Sequence, residues 1–320
     1  MSDFVQRRSR REFIKVAAAA AAVAIIRPCA LLAEGPIKEI GENRESVDPF
    51  CSKKLPALLK GINGSSSEKA QKLFELLRIG NGVLKVDSLK RSKEGEERRP
   101  PRTVDEALKN GGDCTELAFV VISAAEILGL EAGGALVHLN NAPAHIDHFV
   151  AYVVLDGKKI FIDPQAEKIG AVGSEEKYVV LHDVPSKSTR WMYYREFGNY
   201  YLTKKKYELA AKFFKKALDF YDKDAYVYHG LGTSYEYLED VKNALAAHKK
   251  AYELEPQNKK YEKNARIAEF NYEMEIGVEC YNSGDRKEAK KHFERAIKIG
   301  EGVVGSANIK QAKEYSAACD

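Results

Sequence analysis

The sequence predicts an α+β domain followed by an all-α repeat array. Three observations carry this. A Gly-Gly-Asp turn, Gly111–Asp113, delivers Cys114 to the start of a long apolar helix, CTELAFVVISAAEILGL. Two β-rich runs, HFVAYVV and KKIFID, flank Asp156-Gly157, a strong two-residue hairpin signal. Beyond residue 190, a pattern of aromatic and small residues recurs every 34 positions, as Gly198 and Gly232 illustrate.

In chain order, the N-terminus comes first. Ser9-Arg10-Arg11-Glu12-Phe13-Ile14-Lys15 matches the twin-arginine export pattern. An apolar stretch, Val16 to Ile26, follows, and a short segment ends near Ala33. Charged start, apolar middle and small-residue end are the parts of a signal peptide, expected over 1–33. The apolar run is about half a membrane span, which suits export rather than anchoring. Cys29 follows Arg27-Pro28, a poor context for lipidation. Residues 34–64 form an N-terminal segment with a helix expected at Lys54–Ile62. Ser65 and Glu68 make a capping box for a helix through Arg78, with Ala70, Leu73, Phe74 and Leu77 on one face. The charged, proline-ended stretch from Lys90 to Arg102 reads as a solvated loop, or as a flap over a site. Thr103-Val104-Asp105-Glu106 starts another short helix.

The chemistry centres on Cys114. At a helix start, free N–H groups and the positive end of the helix dipole favour thiolate over thiol. If Asp156-Gly157 is the turn, Leu155 pairs with Lys158, Val150 with Asp163 and His148 with Gln165. Residues two apart on a strand share a face, so His148 and Asp163 become diagonal neighbours on one face. Together Cys114, His148 and Asp163 read as nucleophile, general base and orienter. His145 falls on the opposite face and is the poorer base. His138, His145, Asp147 and His148 cluster within eleven residues but lack regular metal-ligand spacing, so no metal is assigned. A thiol triad needs no cofactor, and none is expected.

These residues resemble a family. GGDC with its apolar helix, then LGLEAGGALVHL, then HFVAYV with DGKKIFIDP, is similar to the transglutaminase-like (papain-related) core. The resemblance covers roughly residues 65–185 and implies an α+β domain, set here at 65–188, with Cys114 as nucleophile, His148 as base and Asp163 as orienter. Phe149-Val150 stand where many members carry a small residue and a tryptophan. Gly133-Gly134 stand where alanine-arginine is usual.

The C-terminal pattern looks like tetratricopeptide repeats, each a helix–turn–helix. Tyr194, Phe197, Gly198, Tyr201, Ala210, Phe214 and Ala217 recur as Tyr228, Leu231, Gly232, Tyr235, Ala244, His248 and Ala251. A third copy reads Ile276, Gly277, Cys280, Ala289, Phe293 and Ala296, eleven residues later than the period requires. Eleven residues are about three helical turns, so the extra length fits one long helix from Asn258 to Asn282. Three repeats over 191–303 and a capping helix within 304–320, from Asn308 to Ala318, complete the array. The resemblance implies a peptide or protein partner. Arg195 and Asn199, four apart on one helix, are candidates to grip a carboxylate.

Charged residues of both signs are plentiful and the net charge is only +4, which does not suggest a nucleic-acid partner. Five cysteines show no framework spacing, and pairing among Cys51, Cys280 and Cys319 cannot be read. The expected protein is exported and extracytoplasmic, meeting the membrane only through its export signal. Its thiol enzyme would act on peptide or amide bonds by hydrolysis or acyl transfer through a Cys114 thioester, as a cysteine hydrolase, peptidase or acyltransferase. The alternative is a non-catalytic interaction scaffold with a degenerate core.

Overall fold

The computed structural model describes residues 48–87, 99–139, 147–171 and 178–320. The twin-arginine segment with Cys29, most of the charged stretch after Lys90, and His145 lie outside the described residues. The described residues fall in two compact units. One holds the chain up to Tyr200 together with Asp219–Asp222; the other holds Tyr201–Leu218 and Lys223–Asp320.

The first unit is α+β. Its elements are α1 (Leu55–Leu58), α2 (Ser66–Leu77), α3 (Val104–Asn110), α4 (Cys114–Ile127), β1 (Ala132–Leu139), β2 (Asp147–Leu155), β3 (Lys158–Ile162), β4 (Tyr178–Pro185), a 3₁₀ turn at Ser186–Thr189 and the start of α5 (Arg190–Thr203). The helix expected over Lys54–Ile62 is only the single turn α1, led by Pro56 in its first turn. Three helices begin with reciprocal capping boxes: Ser65 with Glu68, Thr103 with Glu106, and Asp113 with Glu116. Each satisfies two otherwise orphaned backbone donors. The four strands form one antiparallel sheet in the order β3-β2-β1-β4.

The β2–β3 turn has both central residues in the left-handed region, Asp156 at φ 49 and Gly157 at φ 74. That is the turn whose twist suits a tight hairpin. The ladder runs from Leu155↔Lys158 to Ala151↔Ile162. Asp163 is the first residue beyond the ladder, and its carboxylate meets the His148 ring of β2.

The core of this unit is aromatic and aliphatic. Phe119 of α4 lies 6.0 Å from Phe149 of β2 and 6.1 Å from Tyr193 of α5, and Phe149 lies 5.6 Å from Trp191. Trp191 and Tyr193 are fully buried. This packing explains Gly133-Gly134. A methyl on Gly134 would strike the Phe149 ring and Thr189, and one on Gly133 would strike the Val184 carbonyl and the Tyr152 ring.

The second unit is all helical: α6 (Tyr207–Leu218), α7 (Ala225–Tyr237), α8 (Val241–Leu254), α9 (Lys259–Asn282), α10 (Arg286–Gly300) and α11 (Ser306–Ala317). Side chains of Asp224, Asp240, Asn258 and Asp285 cap α7 to α10. The extra residues of the third copy are absorbed by α9, a continuous helix of 24 residues. Glycines of this unit sit where rings cross: Gly230 against Phe214, Gly232 against His248, and Gly277 against Phe293. Close helix approach therefore accounts for most of the repeat pattern. Among the described residues, no helix is long and apolar enough to cross a membrane.

Candidate active site

Cys114 is the first residue of α4, placed there by the Asp113 cap. Its neighbours in the helix, Leu117, Ala118, Val120 and Val121, are buried, so the helix cannot turn or slide without moving core. Cys114 itself is half-buried. His148 enters from β2 and is 9% exposed; Asp163 follows β3 and is 2% exposed. The His148 Nε2–H donates to Asp163 Oδ2 at 2.8 Å. Asp163 Oδ1 accepts from the Gln165 backbone at 2.9 Å, which fixes the carboxylate plane. The His148 side chain also hydrogen-bonds Cys114. With Nε2 engaged, Nδ1 is the nitrogen left for the thiol.

Burial alone would lower the His148 pKa, because it penalises the imidazolium. Hydrogen bonds to Asp163 and Cys114, and their negative charge, outweigh it and push His148 up to about 10. Around neutral pH this histidine is an imidazolium, held between the Asp163 carboxylate and Cys114. It can deliver a proton to a leaving group and receive one from an incoming nucleophile.

A second layer holds the turn before Cys114. Glu116 is buried, and its carboxylate takes a two-pronged grip from Arg99, Nη1 to Oε1 at 2.5 Å and Nη2 to Oε2 at 2.6 Å. The Arg102 backbone adds a bond at 2.7 Å and the Asp113 backbone one at 3.1 Å. Arg99 also reaches Asp87 at 3.1 Å, and Arg102 reaches it at 2.7 Å. Burial raises the Glu116 pKa despite these donors. The end of the charged stretch is therefore pinned by ion pairs at Arg99 and Arg102, where the sequence suggested a solvated loop. The Asp113–Glu116 capping box is legible as Asp-x-x-Glu before an apolar run. The arginine that completes the grip, 17 positions upstream of Glu116, carries no local signal.

Beside this layer lies a cavity of about 100 Å³ lined by Arg99, Asp113, Thr115, Glu116, Phe119, Tyr193, Glu196 and Tyr200 among others. Burial raises the Asp113 pKa, and the nearby charge of Glu196 raises it further.

The structure buries the side chains of Arg195 and Asn199, at 8% and 7% exposure. Both lie beside Glu196, whose Oε1 is 3.9 Å from Arg195 Nε and 3.5 Å from Asn199 Nδ2. Of the histidines grouped with His148 in the sequence, His138 pairs across the sheet with Asp147 in backbone register. Among the described residues no three metal-ligating side chains converge.

Residues 193–224, 225–258 and 274–299 match the family model of the tetratricopeptide repeat. No curated protein matches the chain. Solved structures with similarity include the first repeat domain of Spaghetti (RPAP3) bound to an HSP90 peptide, at 20% identity and a TM-score of 0.27, covering 41% of this chain and 94% of that one. Another is the first repeat domain of the human RPAP3 protein, at 18% identity and a TM-score of 0.28, covering 41% and 96%. The family match makes the C-terminal region a helical array of tetratricopeptide repeats.

Proposed function

We propose that this protein is a thiol enzyme of the transglutaminase-like type, in which Cys114 forms a thioester with a peptide or amide substrate. The observation that carries the reading is His148, buried and hydrogen-bonded to Asp163 on one side and to Cys114 on the other. The Cys114 sulfur adds to the substrate carbonyl carbon, and the oxygen takes up negative charge near the positive end of α4. When the carbonyl reforms, the C–N bond breaks and the departing amine takes a proton from His148. His148, now neutral, removes a proton from water or from an amine as it attacks the thioester. That step releases an acid or a new amide and returns Cys114 and His148 to their starting state. Asp163 orients the ring throughout.

The repeats, in this reading, bind a peptide or protein partner. Repeat modules of this kind serve protein–protein interaction, and the Spaghetti (RPAP3) domain named above was solved with a peptide. The Arg10-Arg11 segment would take the folded protein out of the cytoplasm. The scaffold reading keeps the repeats and gives the core no chemistry.

Thiol labelling separates the two. Cys114 should be carboxamidomethylated by iodoacetamide at pH 6 well ahead of Cys319, a half-buried thiol whose pKa burial raises. Cys114→Ser should abolish the fast phase, and His148→Ala should move its pH profile upward. Equal labelling of Cys114 and Cys319 at pH 6 would leave only the scaffold.

A further inference from the structure

The cavity beside the Cys114 turn has a character that thioester chemistry does not require. The two residues flanking Cys114, Asp113 and Thr115, both line it, while Cys114, His148 and Asp163 do not, so it is a space apart from the triad on the same turn. Its walls are aromatic: Phe119 from α4, with Tyr193 and Tyr200 from α5. Among the described residues that line it, three carboxylates, Asp113, Glu116 and Glu196, stand against one cation, Arg99.

That cation is already engaged. Arg99 is committed to both oxygens of Glu116 and to Asp87. Asp113 caps α4 by accepting from the Glu116 backbone, and feels Glu196 as a second negative charge. Glu196 has Arg195 at 3.9 Å and the neutral Asn199 amide at 3.5 Å on one oxygen, and keeps 32% of its side chain exposed. The charge left facing the open space is negative. A cation among aromatic faces gains from the ring quadrupoles as well as from the carboxylates, and the gain grows as water is excluded.

We propose that this cavity is a subsite for a cationic side chain, lysine- or arginine-like, of the substrate or partner, and that Glu196 and Tyr200 select it. Both residues lie on α5, one turn apart, with Tyr193 a further turn back on the same face. The first helix of the repeat region, within the residues that belong to the α+β unit, thus supplies Glu196 and Tyr200 to this cavity. The subsite gains its catalytic meaning from the thiol-enzyme reading, but its preference for a cation stands on the cavity alone.

The test uses the full chain and two small probes of equal shape, n-butylammonium and n-butanol, followed by ligand-observed NMR. The butylammonium ion should bind and n-butanol should bind at least fivefold more weakly. Glu196→Gln should weaken butylammonium about fivefold, the loss of one partly screened charge, and leave n-butanol unchanged. Tyr200→Phe should retain binding and Tyr200→Ala should weaken it. A thermal melt matching wild type shows that each variant is folded. Equal binding of the two probes, or no response of butylammonium to Glu196→Gln, overturns the proposal. The nucleophile reading fails separately, by slow iodoacetamide labelling of Cys114, whatever the probes do.

Discussion

Cutting the chain after Lys187 or Ser188, where the α+β core ends in the sequence pattern, should leave a fragment that does not fold. The cut removes Trp191 and Tyr193, both fully buried. It strips one partner from Phe119, whose ring centre is 6.1 Å from Tyr193, and one from Phe149, 5.6 Å from Trp191. It also removes Arg190, which binds Asp48 at 2.6 Å and lies over the Phe50 ring. Truncating a large buried aromatic costs about 3–5 kcal/mol, so the two together cost roughly 6–10 kcal/mol, as much as the about 5–15 kcal/mol that holds a whole domain. A fragment ending after Asp222 keeps α5 and the Tyr221 ring, 5.3 Å from Trp191, and should fold. Both fragments, begun at residue 34, would be compared by near-UV circular dichroism and urea denaturation. A cooperative unfolding transition in the fragment ending at 188, with a midpoint close to that of the longer one, would refute this account of the core. It would also free that fragment for testing whether the repeats present substrate.

Three further outcomes follow from named residues. His148 is held above its ordinary value, at about 10, so its contribution to stability is complete below about pH 6.5 and is lost as pH rises from there through about 10; Asp163→Asn should lower the His148 midpoint seen by NMR by one to two pH units, the worth of a charge-assisted bond at roughly 1.5–3 kcal/mol, and an unmoved midpoint would contradict the pairing. His229 has the opposite sign. Burial first, then Lys260 and His248, push it down to about 3, so stability should fall as pH drops below about 6.5, by roughly 1–2 kcal/mol at pH 5, and His229→Phe should flatten the acid limb of a denaturation series. In the last repeat, Gly277→Ala would press a methyl on the Phe293 ring; overpacking at about 1–3 kcal/mol should exceed the roughly 1 kcal/mol helix-propensity gain, lowering the urea midpoint.

Much of the framework is written locally. The capping boxes at Ser65, Thr103 and Asp113 need only residues three apart, and the hairpin register follows from Asp156-Gly157 and strict alternation. For the same reason the sequence alone sets His148 and Asp163 on one face, since a two-residue turn leaves no freedom in the pairing. The 34-residue period and the long α9 are equally readable, because helix packing repeats with the chain. The tertiary structure decided what depends on distant partners. It closed Arg99 onto Glu116 and brought Tyr193, Glu196 and Tyr200 up to the turn that carries Cys114. It also placed the first eleven residues of α5 with the sheet rather than with the remaining repeat helices. In sequence those residues match the repeat pattern, because the same aromatics that pack helix on helix also pack helix on sheet. Periodicity records that a face is buried; only the folded chain determines what covers it.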